Sequence, residues 1–199
     1  MSLFLESIRI EDGRIMNPEY HLRRMDETLK AFKIKPASGF TKDIFSSLTI
    51  PEQGVYKLRL IYNSNLISRE VQPYVIKEIK SLKTIRVPCL DYSFKYADRS
   101  VINNLFEMRK DCDDVIIVCN NRITDSSYCN LAFKKNGKWF TPAQPLLKGT
   151  MRQYLIDRGI LSEEEIFFSS INEYESIALF NAMIPWERAF KLNISSIMV

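Results

Sequence analysis

Apolar and polar side chains alternate from Phe4 to Ile10, the period-two mark of a half-buried strand, and Asp12-Gly13 supplies the turn chemistry that ends it. The period then lengthens. Leu22, Met25, Leu29 and Phe32 recur at helical spacing behind Asn17 as N-cap and Pro18 at the first helical position, so a helix is predicted there. Residues 41–48 read as a shorter helix capped by Thr41. Residues 55–62 and 67–76 are rich in β-branched and aromatic side chains and flank Asn63-Ser64-Asn65, which predicts a hairpin whose second strand is kept at the sheet edge by Pro73.

Residues 84–87 read as an extended connector ending at Pro88. The pattern thus divides into a small α+β domain over 1–88 and a second domain over 89–199. In the second, 98–108 reads as a helix with Val101, Ile102 and Leu105 on one face, and 115–118 as a buried strand followed by the Asn120-Asn121 turn. Residues 131–133 and 139–141 flank Asn136-Gly137, a hairpin signal. A helix opens at Gly149 and runs to Asp157, Ser162-x-x-Glu165 matches a capping box before another short helix, and 177–180 is a closing apolar strand.

With 199 residues, 46% of them hydrophobic and 26% charged, the chain has material for one full core or two small ones. The net charge of +4 is dispersed, which argues against nucleic-acid and membrane-surface partners. No apolar run reaches bilayer length and the start does not resemble a signal peptide, so a cytoplasmic protein is expected. Cys89, Cys112, Cys119 and Cys129 are too far apart for C-x-x-C pairs and His21 is the one histidine, which argues against a zinc site or a disulfide framework.

Four places carry candidate chemistry. Lys95 lies between Phe94 and Tyr96, surroundings that desolvate an ammonium and lower its pKa, as a Schiff-base lysine requires; a lysine snorkelling past rings to solvent reads the same. Asp125 sits in a polar stretch between apolar strands, where it suits a protonated ring nitrogen or simply caps a turn. Gly149-Thr150 opens a helix, a phosphate-binding start or an ordinary N-cap. Arg24 is a charge-assisted partner for the same phosphate, or a solvated helix arginine.

Taken in order, His21-Leu22-Arg23-Arg24-Met25, Lys95-Tyr96-Ala97-Asp98-Arg99, Ile123-Thr124-Asp125 with Asn130-Leu131-Ala132-Phe133, and Leu147-Lys148-Gly149-Thr150-Met151-Arg152 resemble the class IV aminotransferases. These fold-type IV pyridoxal 5'-phosphate (PLP) enzymes include branched-chain and D-amino acid aminotransferases and 4-amino-4-deoxychorismate lyase. The resemblance implies a two-domain α+β fold like that of D-amino acid aminotransferase, a small N-terminal α/β sandwich followed by a mixed, barrel-like α/β domain. It further implies that Lys95 forms the internal aldimine and moves protons, that Arg24 and the backbone amides of Thr150 and Met151 after Gly149 hold the phosphate, and that Asp125 faces the pyridine nitrogen. Ser7, in Phe4-Leu5-Glu6-Ser7-Ile8-Arg9, corresponds to a hydroxyl facing the cofactor, and Asn181-Ala182-Met183 to a segment near phosphate and substrate.

Three features depart from the family pattern. Asp125 stands where a glutamate is usual, the T-R-G turn is absent after residues 59–63, and the first half is short. The implied activity is cleavage of 4-amino-4-deoxychorismate to 4-aminobenzoate and pyruvate for folate synthesis, in a homodimer acting on a small amino substrate. The alternatives are transamination of a branched-chain or D-amino acid and a non-catalytic domain that keeps the fold.

Overall fold

The computed structural model describes residues 2–88 and 90–198, with the backbone alone at residues 41–43. The chain forms two compact units, one ending at Ile76 but including Phe94–Asp98, the other comprising Lys77–Ser93 and the chain from Arg99 onward.

The first unit is an antiparallel sheet of order β2-β1-β3-β4, built from β1 (Phe4–Glu11), β2 (Arg14–Ile15), β3 (Val55–Tyr62) and β4 (Leu66–Pro73), with helices α1 (Pro18–Ala31) and α2 (Phe40–Phe45). Asp12 and Gly13 both take positive φ, 46° and 76°, as a tight two-residue hairpin requires. Alternation sends Phe4, Ile8 and Ile10 to one face of β1, where they pack with Leu58, Leu60 and Tyr62 of β3 and with Met25 and Leu29 of α1. Glu6 belongs to that same row and is fully buried. Residues 94–98 return to β1 through an antiparallel bridge of Phe4 with Tyr96, the Leu5 N–H donating to the Lys95 carbonyl at 2.8 Å and the Ala97 N–H to that of Leu3 at 2.9 Å.

The second unit carries two sheets. One has the order β13-β5-β6-β7, formed by β5 (Leu82–Val87), β6 (Asp114–Cys119), β7 (Arg122–Ile123) and β13 (Ile197–Met198), with β5 and β6 parallel. The other has the order β10-β9-β8-β11-β12, from β8 (Asn130–Lys135), β9 (Lys138–Pro142), β10 (Ser162–Glu164), β11 (Ser176–Phe180) and β12 (Phe190–Asn193). Its helices are α3 (Ser100–Glu107) and α4 (Thr150–Asp157). Ile102 of α3 packs with Ile85, Val115 and Ile117, whereas Met151 and Leu155 of α4 pack with Ala132, Ala178 and Phe180.

Several expectations give way. Residues 84–87 are no connector but most of β5, a central strand whose parallel partner lies thirty-two residues on, so the division at residue 88 is replaced by one in which 77–93 joins the second unit and 94–98 the first. Ser162-x-x-Glu165 caps no helix. Ser162–Glu164 form β10, parallel to β9, with Glu163 reaching the buried Arg152 of α4 at 2.6 Å, and Glu165 pairs with Arg122 at 3.2 Å. Asn17 stands at the N-cap of α1 through its left-handed backbone, φ 48°, and makes no side-chain cap bond. The helix expected from Thr41 begins at Phe40, and the Thr41 side chain lies outside the described residues, as does Cys89. Val101 is exposed, leaving Ile102 to anchor α3.

Candidate functional site

In the first unit, helical spacing puts His21, Arg24 and Met25 on the inward face of α1. Arg24 closes a two-point contact on Glu6: Nε donates to Oε1 at 2.9 Å and Nη2 to Oε2 at 2.5 Å. His21 Nδ1 lies 2.6 Å from Oε2. Burial pushes the Glu6 carboxyl up, but the Arg24 charge and the His21 and Arg24 hydrogen bonds outweigh it and hold the acid at about 2, below its ordinary 4.5. Burial lowers His21 despite Glu6, with the charges of Arg24 and Lys95 acting in the same direction. An ionised carboxylate beside a neutral imidazole requires the proton on Nδ1, so His21 donates.

Lys95 is half-buried on the bridging segment opposite Leu5. Phe32 and Phe94 meet edge-on at 4.9 Å between ring centroids, and Phe4 and Tyr96 lie 5.6 Å apart, so the two rings that flank Lys95 in the sequence pack against the core of the first unit. Strand alternation puts Lys95 and Ser7 on the face of β1 opposite Glu6, yet the Lys95 charge acts on His21, so Lys95 lies within electrostatic reach of the Glu6–His21–Arg24 cluster.

In the second unit, Asp125 and the start of α4 are one construction. Leu147 N–H donates to Asp125 Oδ2 at 3.0 Å, and Asn130 Nδ2 donates both to Asp125 Oδ1 at 2.6 Å and to the Leu147 carbonyl at 2.8 Å. Gly149 completes it, because a Cβ there would stand 1.9 Å from Asn130 Oδ1. The turn is therefore drawn onto Asn130 more closely than any side chain at 149 allows. Thr150 and Met151 open α4 behind it, where first-turn N–H groups favour an anion. Asp125 is pushed up to about 6 from its ordinary 3.8 by burial, which the amide donors offset only in part.

Asn181 is committed to its own turn, since its Oδ1 accepts from the N–H groups of Met183 and Ile184 and its Nδ2 donates to the Tyr128 carbonyl at 3.1 Å. Ala182 is half-buried on that turn. Arg99, at the N-cap of α3, donates from Nη2 to the Ser127 carbonyl at 2.8 Å and lines a cavity of about 240 Å³ with Asn103, Phe106, Ser127 and Tyr128. Sequence reasoning gave no role to Glu6, His21 or Asn130. The signal for Glu6 was legible as an acid on the apolar face of an alternating strand, whereas nothing local marked Asn130 as the clamp on Gly149.

The model of the amino-transferase class IV family matches residues 3–189. A Haemophilus influenzae protein of unassigned function is 34% identical over 181 residues, 89% of this chain and 96% of that one. A Haemophilus somnus crystal structure, described as a "putative 4-amino-4-deoxychorismate lyase", is 33% identical with a TM-score of 0.85, covering 93% of this chain and 98% of the other. A PLP-bound Mycobacterium tuberculosis "hypothetical aminotransferase" is 17% identical with a TM-score of 0.75 over 96% of this chain and 80% of its own, and so shares the fold. With the family model spanning nearly the whole of both units, the chain belongs to the class IV aminotransferases, a family of PLP-dependent enzymes.

Proposed function

We propose that this chain is a lyase that converts 4-amino-4-deoxychorismate to 4-aminobenzoate and pyruvate, in the service of folate synthesis. The observation that carries the reading is the 33% identical Haemophilus somnus structure, which is matched almost end to end and whose description names that substrate.

The residues fit a phosphate-bearing cofactor. The first turn of α4 follows a glycine held too tightly for a side chain, and Arg24 turns only one edge of its guanidinium to Glu6. PLP, when bound, supplies an electron sink for the substrate carbon that bears the amino group. Lys95 Nζ is the group that holds the cofactor, takes the proton from that carbon and returns it to the departing three-carbon fragment. Arg24 and the Thr150 and Met151 amides bind the phosphate, while Asp125 serves the ring nitrogen through the lone pairs left by Asn130 and Leu147.

Ser7, on the same face of the strand as Lys95, orients the substrate, with Asn181 and Ala182 bounding it. Arg99 follows Lys95 by four residues, and the arginine, amide and aromatic lining of its cavity suits a carboxylated ring. The active form is a homodimer, which light scattering at micromolar concentration tests.

The experiment is pyruvate release from 4-amino-4-deoxychorismate by purified protein with no keto acid added, and with Lys95→Ala as the blank. Release that Lys95→Ala abolishes is the expected result. Turnover that appears only with an added keto acid assigns the chain to transamination instead. No turnover of either kind, from protein that borohydride cannot link to the cofactor at Lys95, leaves only the fold.

A further inference from the structure

Arg24 is in contact with Glu6, a carboxylate that lies in a row of core side chains. Glu6 is fully buried between Phe4 and Ile8 along its strand, a place where an ionised group is costly unless every lone pair is used. Three donors converge on it: Nε and Nη2 of Arg24 and Nδ1 of His21.

A guanidinium has five N–H groups arranged in two forks. The side fork, Nε with Nη2, is spent on Glu6. The end fork, Nη1 with the second Nη2 hydrogen, points away from Glu6 with no partner among the described residues, on a side chain that is 14% exposed. A free planar fork suits two oxygens of one phosphate.

We propose that Glu6 and His21 are positioning residues that fix Arg24 by its side fork so that its end fork is presented to the phosphate monoester of the cofactor. The triad thereby sets the preference for phosphorylated over unphosphorylated pyridoxal. The inference rests on the reading of Arg24 as a phosphate ligand.

The sign of the effect separates positioning from simple charge. Glu6 is anionic, so on charge alone its removal strengthens phosphate binding at Arg24. If its work is to hold the fork in place, its removal weakens that binding.

The experiment measures dissociation constants of PLP and of pyridoxal for the apoprotein by tryptophan fluorescence, with inorganic phosphate as competitor. The ratio of the pyridoxal constant to the PLP constant reads phosphate preference with no turnover needed. Glu6→Gln is expected to lower that ratio roughly 10- to 100-fold, the scale of a charge-assisted contact, and His21→Asn to lower it less. In an Arg24→Ala background, Glu6→Gln is expected to change it no further.

An unchanged or raised ratio in folded Glu6→Gln overturns the proposal, as does an additive effect with Arg24→Ala. Should Glu6→Gln not fold, Glu6→Asp gives the same test, because it keeps the charge and withdraws the carboxylate by one methylene. A wild-type protein without preference for PLP over pyridoxal overturns the phosphate reading itself, an outcome distinct from a preference that survives in the Glu6 variants.

Discussion

Glu6 in the first unit and Asp125 in the second are both buried carboxylates, and the two acids end on opposite sides of their ordinary values. Glu6 is held at about 2 and Asp125 is raised to about 6. Burial pushes both upward. What differs is the company: Glu6 faces a full positive charge on Arg24, whereas Asp125 is met chiefly by neutral amide donors from Leu147 and Asn130. Dipoles soften the cost of burying a charge, but an opposed charge reverses it. The first unit therefore carries a permanent ion pair, and the second a group whose charge can change near neutral pH.

The comparison breaks most severely if Arg24 is removed. Arg24→Met leaves Glu6 buried without its cation and should cost about 3–5 kcal/mol in urea unfolding, an effect that shrinks when Glu6 is replaced as well. Next, Gly149→Ala forces a methyl into Asn130 and should cost about 1–3 kcal/mol while weakening PLP binding, measured by thermal shift with and without cofactor.

Acid sharpens the contrast. The native value of Asp125 lies above its ordinary 3.8, so between pH 3.8 and about 6 the folded chain keeps a proton that the unfolded chain has released, and stability falls as pH rises through that window. Glu6 behaves in the reverse sense, because its contribution is complete above pH 4.5 and is lost as pH falls toward 2. The Asp125 slope should approach ~1.4 kcal/mol per pH unit and vanish in Asp125→Asn, as chemical denaturation across pH would reveal. Smallest of all, Lys135→Ala breaks a surface ion pair with Glu173 and should leave the urea midpoint nearly unchanged, the surface baseline for the buried pairs.

Elements that the sequence disclosed are those whose signals are local. Asp12-Gly13 and Asn136-Gly137 adopt positive φ in tight turns, and β1, β8 and β9 fall where alternation and turn chemistry place them, whereas β2 is too short to show in the pattern. β5 was hidden because its stabilising partner is β6, thirty-two residues on, and β10 because Arg152 recruits Glu163 across the fold. Lys95, Arg24 and Asp125 gained meaning only from their joint order. Glu6, His21 and Asn130 stood inside the same stretches, but their roles depend on which side chains converge, and linear spacing does not encode that.

The return of residues 94–98 to β1 also bears on how the molecule can be divided. The chain leaves the first unit after Ile76, rejoins it for five residues that include Lys95, and leaves again at Arg99. No single cut yields both units whole. A fragment ending at residue 88 lacks the aromatic pair that covers Phe4 and Phe32, and its complement carries Lys95 on a segment deprived of the strand it bridges. Gene fragments, circular permutants and proteolytic nicks should respect that stitch, because it makes the two units obligate companions through chain connectivity alone.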